Sequence, residues 1–411
     1  MITVNGEFTS AVVYSDSISE TAYEQLQQLC DHPMFGSAVI RVMPDCHAGK
    51  GCVIGFTSVS SEKIIVPNLV GVDIGCGVMS TIFESEKLPD FYSLDCFIRN
   101  NIPSGMNIRS NPCCFINEYE KHRNNIAHIC SVIHKEDMTE TFINSLGTLG
   151  GGNHFIEVDR ISDNRYMLTV HTGSRSLGNS ICKYFQSKGS LIDERKKKAL
   201  TDKHHTAKTP EEHILIRNEI ESLPKVPPDE AYITDELYDS YIDCMIRAKE
   251  YAAENRRCIT EEIMGFLIST ENAAVVESFD TVHNYVDWYD AEHTSIIIRK
   301  GAVSANEGQK LCIPLNMRDG VIIATGKGAA DWNRSAPHGA GRVMSRSRAR
   351  HSILLEEYAG AMENVSTWSV SEETIDEAPQ VYKPANEIIG NISDTVNIEC
   401  IAKTIYNFKA K

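Results

Sequence analysis

Short apolar runs punctuated by glycine fill both ends of the chain, and a charged, glycine-poor stretch separates them. Residues 37–43, 53–59 and 64–70 have the length and apolar content of strands and are divided by DCHAGKGC and SSEK, which predicts three strands with tight turns. Helical material is expected around 118–134. Glycine clusters then alternate with strand-like runs at 154–158 and 166–171. From 183 to 275 charge is frequent, and apolar residues recur at helical spacing over 238–251 and 261–268. Inside that stretch, residues 196–228 are polar and contain prolines, so a mobile segment is expected there. Strand signals resume at 295–299, 310–314 and 320–325, and HGAGRVMSRSRAR reads as a helix starting directly after its glycines. The pattern predicts an α/β (α+β) fold: one domain over residues 1–411, with 183–275 as a helical insertion or subdomain.

Composition narrows the class. A chain of 411 residues, 42% of them hydrophobic, can bury a large core. No apolar run approaches the ~20 residues that span a bilayer. The opening MITVNGEFTSAVVYSDS has neither a basic n-region nor an apolar h-region. The 13 cysteines are scattered and odd in number, as expected of reduced thiols in a cytosol. A cytoplasmic protein with no membrane partner is the expectation. The formal net charge of −16 argues against non-specific coating of nucleic acid, but it permits an enzyme with one local positive groove.

The chemistry-bearing residues sit beside the glycines. In VGVDIGCGV, Asp73 and Cys76 lie three apart, and the glycines allow a turn that aims both side chains at one point. A buried turn cysteine beside a capping aspartate has the same pattern. LGTLGGGNHFIEV adds His154, LTVHTGSRSLGN adds His171, and FDTVHNYVDW adds His283, each at the end of a strand-like run beside a turn. Five donors exceed the needs of one open tetrahedral site and suit two metals about 3.5–4 Å apart. Ligand softness favours zinc, so the residue types alone leave the metal open.

In SAPHGAGRVMSRSRAR, His338 precedes Gly339, Ala340 and Gly341, whose backbone N–H groups can approach an anion at a helix N-terminus. Arg342, Arg346, Arg348 and Arg350 add positive charge. His338 could attack phosphorus, ligate a metal, or act as a general acid or base. MPDCHAGKG carries Asp45, His47 and Lys50 without P-loop spacing, and its aspartate could orient a distant histidine.

Taken in order, MPDCHAGKG, VGVDIGCG, LGTLGGGNHFIE, VHTGSRSLGN, HNYV, RKGAVSA and HGAGRVMSR resemble the RtcB family of RNA-splicing and RNA-repair ligases. IDEAPQVYK and the terminal FKAK extend the likeness. The resemblance implies one catalytic domain and a GTP- and Mn²⁺-dependent reaction, in RNA repair or tRNA splicing. That reaction joins an RNA 3′-phosphate or 2′,3′-cyclic phosphate end to a 5′-hydroxyl end. It also implies that Cys76 bridges two Mn²⁺ ions, with Asp73 and His154 on one and His171 and His283 on the other. His338 matches the histidine that carries GMP, and Asp45 the carboxylate that orients it.

Asn153, His154, Phe155, Glu157, His283 and Asn284 fall at guanylate-contacting positions, with Glu157 against the guanine edge. Pro314, Met317 and the turn His338, Gly339, Ala340, Gly341 join them by the same resemblance. Tyr382 matches an aromatic that packs on the base, and Lys409 a terminal lysine that contacts the nucleotide. Arg175 and Arg342 match phosphate- or RNA-binding positions. An archease-like activating partner is a further implication.

The chain also departs from the family. Where its members read Pro-Gly-Ser-Met-Gly followed by a serine, this chain has Pro314-Leu315-Asn316-Met317-Arg318 and Val321. The segment DWNRSAP before His338 differs from the usual cysteine- and serine-containing version. A divergent branch with altered nucleotide recognition, serving repair of cleaved RNA, is the expectation.

Overall fold

Strands form where β-branched and aromatic residues alternate, and their registers gather them into two large sheets. The computed structural model describes residues 1–223 and 225–410; Pro224, within the 196–228 stretch, and Lys411, which closes the FKAK run, lie outside the described residues. The first sheet has six strands in the order Ile2–Asn5, Ser10–Val13, Val39–His47, Ile54–Ser60, Ile296–Lys300 and Asn284–Trp288. The second has seven: Ala274–Val282, Gly77–Glu84, Arg165–Thr172, Phe155–Ser162, Val396–Lys409, Gly320–Gly326 and Lys310–Asn316. Its neighbours are all antiparallel. This sheet curls until its two edges meet: the Cys312 N–H donates to Thr281 Oγ1 at 3.3 Å, and Lys310 pairs with Glu277 at 2.5 Å. Val78, Ile82, Met167, Cys312, Val321 and Ile323 fill the inside of the curl. Each fully buried branched side chain there contributes about 1.5–3 kcal/mol.

One helix of 37 residues, Asp235–Glu271, packs on strands Gly77–Glu84 and Arg165–Thr172. Its buried Tyr238, Tyr241, Met245, Ala248, Ala252, Ile259, Ile263 and Leu267 recur at helical spacing, and Asn272 ends it in the left-handed conformation. The sequence predicted two helical stretches here. They are continuous because the intervening Glu254, Asn255 and Arg256 are buried polar residues that interrupt the apolar stripe without interrupting the helix. The 183–275 stretch begins inside the helix Arg175–Lys188 and ends inside the strand Ala274–Val282.

Two other expectations need correction. Only Ile64–Ile65 of the 64–70 run is a strand; Pro67 opens a short helix, Pro67–Val70, because its fixed φ suits a first helical position. Over the 196–228 stretch lie two helices, Glu194–Thr206 and Pro210–Glu221, as a helical 183–275 region predicts. A capping box between Thr209 and Glu212 starts the second. After His338 the helix begins only at Arg346, capped by Ser345, and it ends at Ser352. No helix among the described residues is long and apolar enough to cross a membrane.

Candidate active site

Strand register assembles the site. Gly77 pairs with Thr172 on one side and Val282 on the other, while Phe155 pairs with His171 and Lys409. Cys76, His154, His171, His283 and Lys409 therefore meet at one end of the seven-stranded sheet. His283 is also where the chain leaves that sheet for the six-stranded one, which places the site between the two.

Cys76 Sγ lies 3.3 Å from His171 Nε2 and 3.6 Å from His154 Nε2. His154 Nε2 is 3.0 Å from Asp73 Oδ2, and His171 Nε2 is 3.4 Å from His283 Nε2. Two overlapping triplets result, Asp73–Cys76–His154 and Cys76–His171–His283, each with its donor atoms within 4.8 Å of one another. The Nδ1 atoms of His154 and His171 face the carbonyls of Leu149 (2.9 Å) and Asn153 (3.1 Å), which leaves both Nε2 lone pairs for a cation.

The chain folds this way locally because the Asp73–Cys76 turn is laced to its neighbours. Gly75 N–H donates to the Asn284 carbonyl at 2.7 Å, His283 N–H to the Cys76 carbonyl at 2.9 Å, and Asn284 Nδ2 to the Asp73 carbonyl at 3.1 Å. Gly75 has φ +71°, and a Cβ there would stand 2.9 Å from the long helix at Lys249 Cα. A Cβ on Gly173 would lie 2.3 Å from Asp73 Oδ1.

The long helix adds two struts. Buried Arg256 holds Asp280 with two bonds of 2.7 Å and donates to the Gly75 and Thr172 carbonyls at 2.8 Å. Asn255 clasps both the N–H (3.0 Å) and C=O (3.1 Å) of Thr148, and the Gly173 carbonyl at 3.1 Å.

Burial drives the pKa of His171 and His283 well below the usual imidazole value, with neighbouring histidines adding to the effect, so both present neutral nitrogens. Burial, then the Asp73 carboxylate, pushes the Cys76 thiol well up; a thiolate there requires a compensating cation. Burial opposes ionisation of Asp73, but its contacts with His154 prevail and hold it below its ordinary value. His283 Nδ1 is buried without a partner among the described residues. A carboxylate, a thiol and three imidazole nitrogens converging within 4.8 Å in two triplets fit two divalent cations.

Across this cluster, the His338 ring centroid stands 4.8 Å from that of His283. The fully buried Asp45 places Oδ2 2.6 Å from His338 Nδ1, leaving Nε2 free. Because the helix starts seven residues beyond Gly339, the glycine turn offers backbone amides but no helix terminus, contrary to the sequence reading.

A cavity of about 1130 Å³ opens over His171, His283 and His338. Asn153, Phe155, Glu157, Asn284, Pro314, Met317, Gly339, Ala340, Gly341, Arg342, Tyr382 and Lys409 all line it. Several are already engaged. Asn284 Oδ1 accepts from Gly301 N–H at 2.9 Å, so its amide is occupied in the scaffold. Tyr382 OH and Lys409 Nζ both donate to buried Glu377, at 2.6 and 2.5 Å, and Arg342 reaches the same carboxylate at 3.3 Å.

Arg175 is not among the described residues lining the cavity. Its guanidinium ties Thr148 Oγ1 (3.0 Å) to the Gly105 carbonyl (2.8 Å), which fixes the glycine-rich loop before His154 instead of facing an anion. Arg348 and Lys50 do line the cavity. Of the departures from the family pattern, Leu315 and Asn316 line the cavity, whereas Val321 packs inside the curled sheet.

Sequence reasoning gave no role to Glu377, Asn407, Asn255 or Arg256. Glu377 had a signal in the adjacent acids of IDEAPQ; the others act through partners too distant in sequence to be seen.

Fold and site together define a class: an α/β protein with a candidate dinuclear metal centre facing a carboxylate-oriented histidine. The family model described as tRNA-splicing ligase RtcB matches residues 25–410, and the chain belongs to this family of RNA-splicing ligases. It is 32% identical over 384 residues to an RNA-splicing ligase RtcB of Escherichia coli, covering 87% of each chain. It is 27% identical over 421 residues to a tRNA-splicing ligase RtcB of Aeropyrum pernix (84% of this chain, 82% of that one). A tRNA-splicing ligase RtcB of Methanococcus maripaludis matches at 24% over 465 residues, 96% of this chain and 91% of that one.

Proposed function

We propose that this protein is a GTP-dependent ligase that joins RNA 3′-phosphate or 2′,3′-cyclic phosphate ends to 5′-hydroxyl ends through GMP carried on His338. The supporting observation is the placement of His338: Nδ1 is held by buried Asp45, and the ring stands against a donor cluster that Cys76 divides into two triplets. Asp73, Cys76 and His154 would hold one Mn²⁺ ion and Cys76, His171 and His283 a second, a pair that would offset charge on phosphoryl oxygens.

His338 Nε2 forms a bond to the α-phosphorus of GTP, and pyrophosphate leaves. Asp45 keeps the proton on Nδ1 and stabilises the positive charge on the ring. An RNA 3′-phosphate oxygen then takes the GMP and releases the imidazole; a cyclic end is first hydrolysed to the 3′-phosphate. The 5′-hydroxyl attacks the activated phosphate, and GMP departs. Glu157 takes the donor edge of guanine, Tyr382 packs on the base, and Lys409 contacts the nucleotide. Arg348 and Lys50 meet RNA phosphates at the cavity wall.

In this reading residues 1–411 act as one catalytic domain, with 183–275 as its helical part, in the cytoplasm. An archease-like protein assists turnover, and the substrates are RNAs broken by damage or by splicing.

The test uses α-labelled GTP and Mn²⁺ followed by denaturation. An acid-labile labelled protein that His338→Ala does not form is expected. Wild-type protein that stays unlabelled, no different from His338→Ala, refutes the proposal.

A further inference from the structure

The cavity floor contains a side chain that the steps above do not use. Asn407 lies on the central strand Val396–Lys409 as the cross-strand partner of Glu157. It is 1% exposed and lines the cavity. Its Nδ2 donates to Glu157 Oε2 at 2.6 Å, whereas its Oδ1 is buried and meets no donor among the described residues. Charge fixes this orientation, because turning the amide over would set Oδ1 against the Glu157 carboxylate. A buried carbonyl lacking a donor is unfavourable, and a bound ligand that supplies one relieves it.

The surroundings hold Glu157 as an acceptor. Thr404 Oγ1 donates to Oε1 at 3.1 Å. Asp159, two residues along the same strand face, is fully buried; Thr169 donates to its Oδ2 at 3.1 Å, and its Oδ1 has no donor among the described residues. A proton on Asp159 satisfies that oxygen and bonds Glu157 from behind. The floor therefore sets two acceptors side by side, the Glu157 carboxylate and the Asn407 carbonyl. Lys409, the nearby cation, is itself tied to Glu377 and the Asn153 carbonyl.

Two adjacent acceptors match two adjacent donors. Guanine offers such a pair in its ring N1–H and 2-amino group, whereas adenine presents an acceptor at N1. We propose that Asn407 sets base specificity by accepting a hydrogen bond from the 2-amino group while Glu157 takes N1–H. This inference rests on the nucleotide reading of the cavity given above.

Inosine triphosphate isolates the contact, since it keeps N1–H and lacks the amino group. With full-length protein and Mn²⁺, label transfer to His338 from GTP should exceed that from ITP by about tenfold, the worth of one hydrogen bond. In Asn407→Leu, similar in size but without polar atoms, GTP should fall to the level of ITP while ATP stays poor. Asn407→Ala serves if the leucine variant does not fold, and the wild-type comparison needs no variant. Equal use of GTP and ITP by wild type, or a GTP preference that survives in the variants, overturns the assignment and leaves the ligase reading intact. Wild-type protein that forms no adduct with any nucleotide overturns both.

Discussion

The Asp45 carboxylate stands 2.6 Å from His338 Nδ1, and the same oxygen accepts from the His338 backbone N–H at 3.2 Å. One buried oxygen thus fixes both the ring and the main chain that carries it. Asp45→Asn should slow adduct formation by about 10- to 100-fold while GTP binding changes little, because orientation is lost and the pocket is kept. Single-turnover labelling alongside equilibrium nucleotide binding separates the two. A parallel loss of binding contradicts an orienting role.

Cys76 belongs to both donor triplets, whereas Asp73 belongs to one and His283 to the other. Asp73→Ala and His283→Ala should each retain one metal equivalent, and Cys76→Ala should weaken both sites. Elemental analysis after dialysis against Mn²⁺ reads this directly. Full stoichiometry in Cys76→Ala would remove it as the shared ligand.

Arg256 is buried and joins Asp280 to two carbonyls beside the candidate metal donors. Arg256→Met leaves Asp280 and both carbonyls without their partner and should destabilise the fold by about 3–5 kcal/mol. Urea unfolding of apo protein measures it without reference to activity. A change under 1 kcal/mol would show that the strut is dispensable.

Burial raises Glu157 to about 6, so its carboxylate is the main form above pH 6 and is lost below it. GTP affinity should therefore fall as pH drops through 6. Burial and the Glu157 charge push Asp159 well up, which makes it the proton holder that donates to Glu157. Asp159→Ala removes that donor and should move the acid limb to higher pH, whereas Asp159→Asn, which can still donate, should largely restore it. Binding titrations from pH 5 to 8 check both. An acid limb unmoved in Asp159→Ala counts against the pairing.

Much of the candidate metal centre was legible because its donors lie beside glycines at strand ends, where local pattern and geometry agree. Cys76, His154, His171 and His283 needed only the correct strands, and register then brought them together. Arg175 shows the limit. A basic residue after a glycine turn suggests an anion, yet its guanidinium closes onto Thr148 and Gly105, contacts set by tertiary packing. Asn255 and Arg256 were invisible for the opposite reason: they look like an exposed helical turn until partners about 80 to 180 residues away bury them. The two helices at 194–221 were not told apart although Thr209, Pro210 and Glu212 spell a helix start, because the long polar composition outweighed that local signal.

The strand Val396–Lys409 lies inside the seven-stranded sheet, between Phe155–Ser162 and Gly320–Gly326. During synthesis the sheet consequently waits, split in two, until residue 409 has cleared the ribosome. The floor of the cavity then closes in the same event that completes the barrel-like curl. The candidate metal donors all lie on the half made earlier, whereas Asn407 and Lys409 reach the cavity only with this last strand.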